Sequence, residues 1–184
     1  LPLESGIDPG DQWPPRFWKI DLEFDDGGRL AMTSARRFGR IRLRQDPPHE
    51  PPLSTLGFDP LLSMPSPTAF ANLLAGRRVT LKGLLLDQSF AAGVGNWIAD
   101  EVLYQAGLDP RRRAESLDDE ECRALRRQLG SVVRTAVKVN ADKQRFPRTW
   151  LFHHRWGRQD DAELSDGTPI EHLTVAGRTT AWVP

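Results

Sequence analysis

The sequence predicts an α+β protein with an N-terminal β-sheet, a four-helix domain and a C-terminal β-hairpin. Apolar and polar residues alternate in FWKIDLEF, residues 17–24, as in a strand with one buried face. Beyond residue 60 the apolar residues recur at helical spacing, and capping residues precede two of these segments. The predicted division is part of a β-domain at 1–45, a proline-rich extended linker at 46–60, a helical domain at 61–145 and a hairpin at 146–184.

The predicted sheet begins with a hairpin over residues 17–34, because the turn sequence DDGG at 25–28 separates two apolar segments. RIRLR at 40–44 also alternates and predicts a third strand. Three strands with so small an apolar face are only marginally stable alone. We therefore expect them to belong to a larger β-layer whose other strands lie outside this chain.

Four helices are predicted after the linker. Ser66 and Pro67 begin the first, and Gly76 ends it. The second occupies LKGLLLD, and the third occupies NWIADEVLYQAG. Ser116 with Asp119 is predicted to cap a long fourth helix. The apolar stripe of that helix consists of Leu125, Leu129, Val132, Val133, Ala136 and Val137.

The distribution of charge favours a nucleic-acid partner. A formal net charge of zero argues against a general polyanion binder, but arginines form two runs without acids, at 29–44 and 145–158. These runs contain Arg29, Arg36, Arg37, Arg40, Arg42 and Arg44, and then Arg145, Arg148, Arg155 and Arg158. Aromatic residues lie among them: Phe38, Phe146, Trp150, Phe152 and Trp156. The pattern indicates surfaces that bind phosphates and bases, with two solvated charged faces as the alternative.

The cysteine content and the lengths of the apolar runs limit the chemistry and the location that we expect. The single cysteine, Cys122, lies at helical spacing in an acidic segment and is interpreted as a structural thiol, which excludes cysteine chemistry. No apolar run is long enough to span a membrane, and no basic-then-apolar leader opens the chain. We therefore expect an intracellular, soluble protein.

Two glycines interrupt helix-forming sequence in GVGN, residues 93–96, although each costs about 1 kcal/mol relative to alanine inside a helix. A dinucleotide-binding motif is excluded, because it requires glycine or alanine where this chain has Ile98. We interpret GVGN as a tight turn before a helix that begins near Gly95 and Asn96. Backbone N–H groups and the Asn96 amide would then point outward and favour an anion. Close packing of two helices at the glycines is the alternative.

Residues 81–110, LKGLLLDQSFAAGVGNWIADEVLYQAGLDP, resemble the helix-two-turns-helix signature of the formamidopyrimidine-DNA glycosylase and endonuclease VIII family of base-excision repair enzymes. ARRFG at 35–39 and AGRTTAWVP at 176–184 resemble further family motifs in the family's order, so the resemblance covers nearly the whole chain. WPPRFW and FPRTWLFHHRWG resemble the plant and fungal branch. The implied fold is the end of a catalytic β-sandwich, a helix-two-turns-helix domain and a finger hairpin.

The resemblance implies roles in DNA binding for five positions. Asn96, with the Gly95 turn, would bind the phosphates around the damaged nucleotide, and Arg178 would clamp a phosphate beside the flipped nucleotide. Arg36 would hydrogen-bond the orphaned base, and Phe38 would wedge into the base stack. A planar cation suits a base edge or a phosphate, and an aromatic ring can replace a lost stacking partner.

Lys82 and Glu101 are implied more weakly, as residues that line or support the site. The catalytic nucleophile of the family is the secondary amine of an N-terminal proline, followed by a glutamate. Pro2, in the opening LPLESG, does not align with that proline, so no catalytic residue of the reaction is expected in this chain.

The chain departs from the family's zinc-finger members. They carry four cysteines near the C-terminus, whereas none follows Cys122 here. The four histidines, His49, His153, His154 and His172, lack a tetrahedral ligand pattern. The chain therefore resembles the zincless-finger variants, and neither zinc nor another cofactor is expected.

The expected function is that of a DNA glycosylase and abasic-site lyase that removes oxidised bases from duplex DNA and cleaves the strand at the abasic site by β,δ-elimination. Damaged double-stranded DNA is the expected partner, with a monomeric state and a nuclear location implied by the resemblance. A non-catalytic module that binds damaged DNA is the alternative from a different functional class. An RNA-binding protein of ribosomal type would explain GVGN but neither RRFG nor GRTTAWVP.

Overall fold

The structure, a computed structural model, describes residues 13–156 and 162–184. Pro2 and Arg158, both named in the sequence predictions, lie outside the described residues. The chain separates into two compact units, Leu1–Gln45 and Asp46–Pro184. Among the described residues, none of the helices combines the length and the hydropathy that a membrane span requires.

The first unit contains the predicted hairpin. Strands β1 (Trp18–Glu23) and β2 (Arg29–Thr33) pair antiparallel, and Leu22 lies opposite Leu30. Gly27 adopts φ +81° in the turn between them, a conformation that glycine reaches at little cost. The alternating pattern and the DDGG turn are thus confirmed as an antiparallel pair.

The predicted third strand is wrong. Residues 40–44 form no strand, and the Leu43 side chain is 99% exposed. Alternation gives a segment two faces, but a strand persists only where a neighbouring strand satisfies its backbone N–H and C=O groups. Among the described residues no strand pairs with this segment.

The second unit holds the helices and the C-terminal hairpin. The described residues contain α1 (Pro67–Leu74), α2 (Leu81–Leu86), α3 (Asn96–Ala106), α4 (Asp119–Lys138), β3 (Glu171–Val175) and β4 (Arg178–Trp182). Their main core combines Phe70, Leu74, Leu81, Leu84, Val102, Leu103, Leu125 and Leu129 with further apolar residues. The α+β class, the four helices and the C-terminal hairpin are confirmed.

Side-chain caps fix where three of the helices begin. Ser66 accepts the Ala69 N–H and so caps α1, as the sequence predicts. The cap of α4 is Asp118 rather than Ser116, which lies in a preceding 3₁₀ turn. Asp118 immediately precedes the first helical residue, and Glu121 returns a hydrogen bond to the Asp118 N–H, which completes a capping box.

The aromatic residues of the second arginine run form core rather than a nucleic-acid surface. Phe146, Trp150 and Phe152 are buried and pack around Trp97 of α3. Each ring buries a large apolar area, which outweighs its neighbourhood of charged residues. Within that run Trp156 is the ring that stays exposed, at 59%.

The segment predicted as an extended linker is partly folded onto the helical core. It contains two 3₁₀ turns, Pro47–His49 and Leu53–Thr55. The Gly57 N–H donates to the Gln88 carbonyl at 2.8 Å, and the Phe58 carbonyl accepts the Ala92 N–H at 2.9 Å. These bonds support the loop that leads into GVGN.

Gly57 allows this close approach of two backbones. A Cβ atom at this position would lie 2.2 Å from the Phe90 carbonyl oxygen, closer than any non-bonded contact allows. We expect Gly57→Ala to lower the free energy of unfolding by about 3 kcal/mol, because the loop must shift. Urea unfolding followed by circular dichroism measures the change.

Gly95→Ala is the matched control for this substitution. A Cβ atom on Gly95 would meet no atom of the described residues within 4 Å, and its φ of −99° suits any residue. We expect it to change the free energy of unfolding by less than about 1 kcal/mol. Equal losses in the two variants would contradict the argument from close approach.

Candidate nucleic-acid interface

The GVGN turn is held by the side chain of Gln88. Its Oε1 atom accepts the Gly93 N–H at 2.9 Å, and its Nε2 atom donates to the Val94 carbonyl at 3.0 Å. Gly93 has φ +80°, which requires a residue without a Cβ atom if strain is to be avoided. The turn therefore ends in a fixed geometry, and α3 begins at Asn96.

The alternative interpretation of the two glycines, close packing between helices, is wrong. A Cβ atom on Gly93 or Gly95 would meet no atom of the described residues within 4 Å. Gly95 also has an ordinary extended conformation. Neither packing nor backbone strain within the described residues explains why position 95 is a glycine. The effect of the missing side chain is that the surface at the start of α3 stays open.

The N-terminus of α3 differs from those of the other helices. Side chains of Ser66, Thr80 and Asp118 cap α1, α2 and α4. The N-cap of α3 is Gly95, which has no side chain to accept a hydrogen bond. The partial positive charge of this helix end is therefore not offset by a cap and favours an external anion.

Contrary to the prediction from the sequence, the Asn96 amide does not point outward. Its Nδ2 atom donates to the Thr179 carbonyl of β4 at 2.9 Å. Its Oδ1 atom is buried and has no hydrogen-bond partner among the described residues. Because an unpaired buried acceptor costs about 1–3 kcal/mol, fold stability alone does not explain an asparagine here.

Arg178 lies beside Asn96 through this bond to the neighbouring residue Thr179. It is exposed at the start of β4, immediately after a tight turn in which Ala176 and Gly177 have φ of +50° and +71°. Positive φ at both central positions is typical of a type I′ hairpin turn. The structure thus brings Gly95, Asn96 and Arg178 to one end of the second unit.

Arg36 and Phe38 belong to the first unit. The Arg36 guanidinium lies 5.5 Å from the centroid of the Phe38 ring, and Phe38 is 78% exposed. Arg37 between them has φ +57°, and its N–H donates to the Ser34 carbonyl at 3.2 Å. The loop therefore presents an exposed ring together with a cation.

Lys82 is fully buried and supports the site rather than lining it. Its ammonium group pairs with the carboxylate of Asp100 and donates to the Asn96 carbonyl at 3.1 Å. Burial lowers the pKa of Lys82, while the Asp100 charge opposes that shift. Arg155 contacts the other oxygen of Asp100, with Nη2 at 2.6 Å and Nε at 3.2 Å.

Glu101 is also fully buried and joins α3 to the segment before the hairpin. Its carboxylate accepts the Phe152 N–H at 2.8 Å and the Gln105 side-chain amide at 2.8 Å. Burial raises the pKa of the Glu101 carboxyl to about 7, although these hydrogen bonds oppose the shift. Its position therefore supports the fold and is inaccessible to a ligand.

Sequence reasoning missed four residues of this region: Gln88, Asp100, Arg155 and Thr179. The arginine run at 145–158 predicts a surface position for Arg155, but its side chain is 7% exposed and paired with Asp100. The one available signal was Asp100 itself, a charged residue four positions after Asn96 inside an apolar helix. Among the described residues no group of three or more His, Cys, Asp or Glu side chains could hold a metal ion.

The raised pKa of Glu101 makes stability depend on pH. Folding binds a proton to Glu101 between about pH 4.5, its ordinary pKa, and about pH 7. Stability is therefore lost as pH rises through that window. Glutamine does not titrate in this range. We therefore expect the free energy of unfolding of Glu101→Gln, taken relative to that of the parent chain, to increase by up to about 3 kcal/mol from pH 5 to pH 8. Urea unfolding of both proteins at the two pH values checks this, and parallel profiles would contradict it.

Comparisons with known proteins identify the helical unit. The family model described as the formamidopyrimidine-DNA glycosylase H2TH domain matches residues 56–147, half of the chain. A formamidopyrimidine-DNA glycosylase of Arabidopsis thaliana is 44% identical over 98% of this chain and 46% of its own length. One of Laribacter hongkongensis is 37% identical over 96% of this chain and 68% of its own length. The chain spans about half the length of the Arabidopsis relative.

Solved structures agree with these relatives. The MutM (Fpg) protein of Thermus thermophilus superposes with a TM-score of 0.74 and 36% identity over 93% of this chain and 68% of its own. The Lactococcus lactis Fpg, solved in complex with DNA that contains an abasic site, has the same fold, with a TM-score of 0.76 at 23% identity over 95% of this chain and 67% of its own. The matched domain, the relatives and the shared fold together show that the chain belongs to the formamidopyrimidine-DNA glycosylase family.

Proposed function

We propose that the protein containing this chain is a DNA glycosylase of base-excision repair that removes oxidised bases from duplex DNA and cleaves the abasic site by β,δ-elimination. Membership of the family supports this activity. One observation carries the assignment of the DNA-binding end: Gly95, Asn96 and Arg178 converge beside an uncapped helix N-terminus. Because the chain spans 46% of the Arabidopsis relative, catalysis is proposed for the whole protein.

For the chain by itself we propose binding to damaged duplex DNA without catalysis. The groups that converge on the α3 N-terminus can bind a phosphate, but Lys82 and Glu101 are buried and inaccessible to a reacting sugar. Arg36 and Phe38 have the charge, shape and exposure that suit an orphaned base and a disrupted base stack. A monomeric state and a nuclear location are further proposals, which sedimentation and a fluorescent fusion would test.

Two measurements separate the catalytic proposal from the binding proposal. Borohydride should trap the whole protein covalently on duplex DNA with an oxidised base, because an amine nucleophile forms a reducible iminium with the sugar. The chain by itself should bind a duplex with a tetrahydrofuran residue, and log K should fall with log salt by about 0.9 per phosphate neutralised. Absence of trapping contradicts the first proposal, and salt-independent or absent binding contradicts the second.

The role of the α3 N-terminus is tested by Asn96→Ala and Gly95→Ala. We expect each to weaken binding to the tetrahydrofuran duplex about tenfold, because the first removes the hydrogen bond that holds Thr179, next to Arg178, against α3, and the second obstructs the approach of a phosphate. Asn96→Ala loses this one hydrogen bond to Thr179, worth about 1 kcal/mol, and removes an unpaired acceptor, so its melting temperature should change little. Fluorescence anisotropy and thermal unfolding provide the two readouts.

Arg111→Gln is a suitable control, since it removes an exposed arginine whose partner is Asp109. Its binding to the same duplex should stay within about twofold of the parent chain. If Asn96→Ala instead lost several degrees of melting temperature and bound DNA normally once folded, the residue would have a structural role alone.

A further inference from the structure

We propose that Asp100 and Arg155 are positioning residues for DNA recognition: their buried ion pair fixes the β3–β4 hairpin, and with it Arg178, against the N-terminal half of α3. This inference rests on the proposed function, since it assigns Arg178 to the DNA. Neither residue is exposed to a ligand, so both would act through Arg178 and Asn96.

The hairpin needs an attachment of this kind. Its strands have five residues each, and a two-stranded hairpin is marginally stable in water. The apolar cluster behind it is small: its buried members are Leu151, Ile170 and Ala181. The pair of positive φ values at the tip adds strain at Ala176, which is not a glycine. Apolar burial alone is thus a weak constraint on where Arg178 lies.

Asp100 connects three separate parts of the second unit. One oxygen pairs with Lys82 of α2, and the other accepts from the Arg155 guanidinium. The Ala181 N–H of β4 also points to that second oxygen, at 3.5 Å. Arg155 is in turn tied to β3, because the His172 Nε2 atom lies 3.4 Å from the Arg155 carbonyl oxygen. Both strands of the hairpin are therefore linked to this carboxylate.

A second set of contacts holds the residues on either side of Arg178. Lys82 donates to the Asn96 carbonyl, and the Asn96 side chain donates to the Thr179 carbonyl next to Arg178. At the tip, a Cβ atom on Gly83 of α2 would lie 3.3 Å from the Ala176 Cβ atom, so the turn rests against that helix. The hairpin is fixed at its tip and at its base.

The charges show why the carboxylate cannot be exchanged for a neutral group. Lys82 and Arg155 are both cations held on one side chain, and Arg155 and Arg178 each lower the pKa of Lys82 by repulsion. Neutralisation of Asp100 would leave two buried like charges facing each other. Relief of that repulsion requires movement of Arg155, and the hairpin that is tied to Arg155 would move with it.

Hydrogen exchange on the full chain tests the attachment without DNA. In Arg155→Gln, amides of β3 and β4 should exchange about tenfold faster, while those of α4 keep their protection. Arg112→Gln is the control, because it removes an arginine–carboxylate pair outside the hairpin, with Glu121 at the start of α4, whose two side chains are 35% and 28% exposed. Unchanged exchange in the hairpin, or an equal loss of protection in α4, would overturn the proposal. If Arg155→Gln fails to fold, Arg155→Lys is measured by the same criteria.

A double-mutant cycle on the tetrahydrofuran duplex tests the link to recognition. Arg155→Gln and Arg178→Ala should each weaken binding about tenfold and reduce the salt slope by about 0.9, the value for one phosphate contact. The double variant should bind no more weakly than Arg178→Ala, since both changes remove the same contact. The positioning role would be overturned if the affinity losses of the two single variants multiplied in the double variant, or if Arg155→Gln left the salt slope of log K unchanged. If the parent chain does not bind the duplex, the proposed function fails, and hydrogen exchange still decides whether the ion pair anchors the hairpin.

Discussion

The buried carboxylate of Asp100 is the constraint on which the functional end of the second unit depends. Each ion removed from water costs several kcal/mol after relaxation, and this cost is recovered only when partners are close and well oriented. Asp100 meets that condition with Lys82 on one oxygen and Arg155 on the other. The three groups carry an excess of one positive charge, and Lys82 places part of it beside the Asn96 carbonyl.

The excess charge and the uncapped helix act in the same direction. A helix N-terminus attracts an anion by about 0.3–1 kcal/mol at an exposed site, which is too little for recognition by itself. Here a buried ammonium group lies next to the same turn, and an exposed arginine follows Thr179 on the neighbouring strand. Several modest electrostatic contributions therefore coincide at Gly95 and Asn96, and the contribution of Arg178 depends on the hairpin keeping its place.

Local features were the ones that sequence could predict. The hairpin of the first unit follows from alternation and a turn sequence, and α1 follows from Ser66 and Pro67, because these signals act between residues a few positions apart. The RIRLR strand failed for the opposite reason: alternation is local, but a strand requires a partner. The candidate site follows mainly from the resemblance, since GVGN alone favours anion binding but leaves close packing of helices as an alternative.

The Asp100–Arg155 pair shows why the remainder could not be read from the sequence. The two residues are 55 positions apart, and no periodicity connects them. The run at 145–158 predicts a surface because aromatic rings lie among its arginines, yet Phe152 and Trp150 are buried against Trp97. Once those rings enter the core, the chain carries Arg155 inward as well, and an arginine cannot lose its charge. A carboxylate must then meet it, and α3 supplies Asp100 one turn after Asn96, which couples the folding of an aromatic core to the position of the residues proposed to bind DNA.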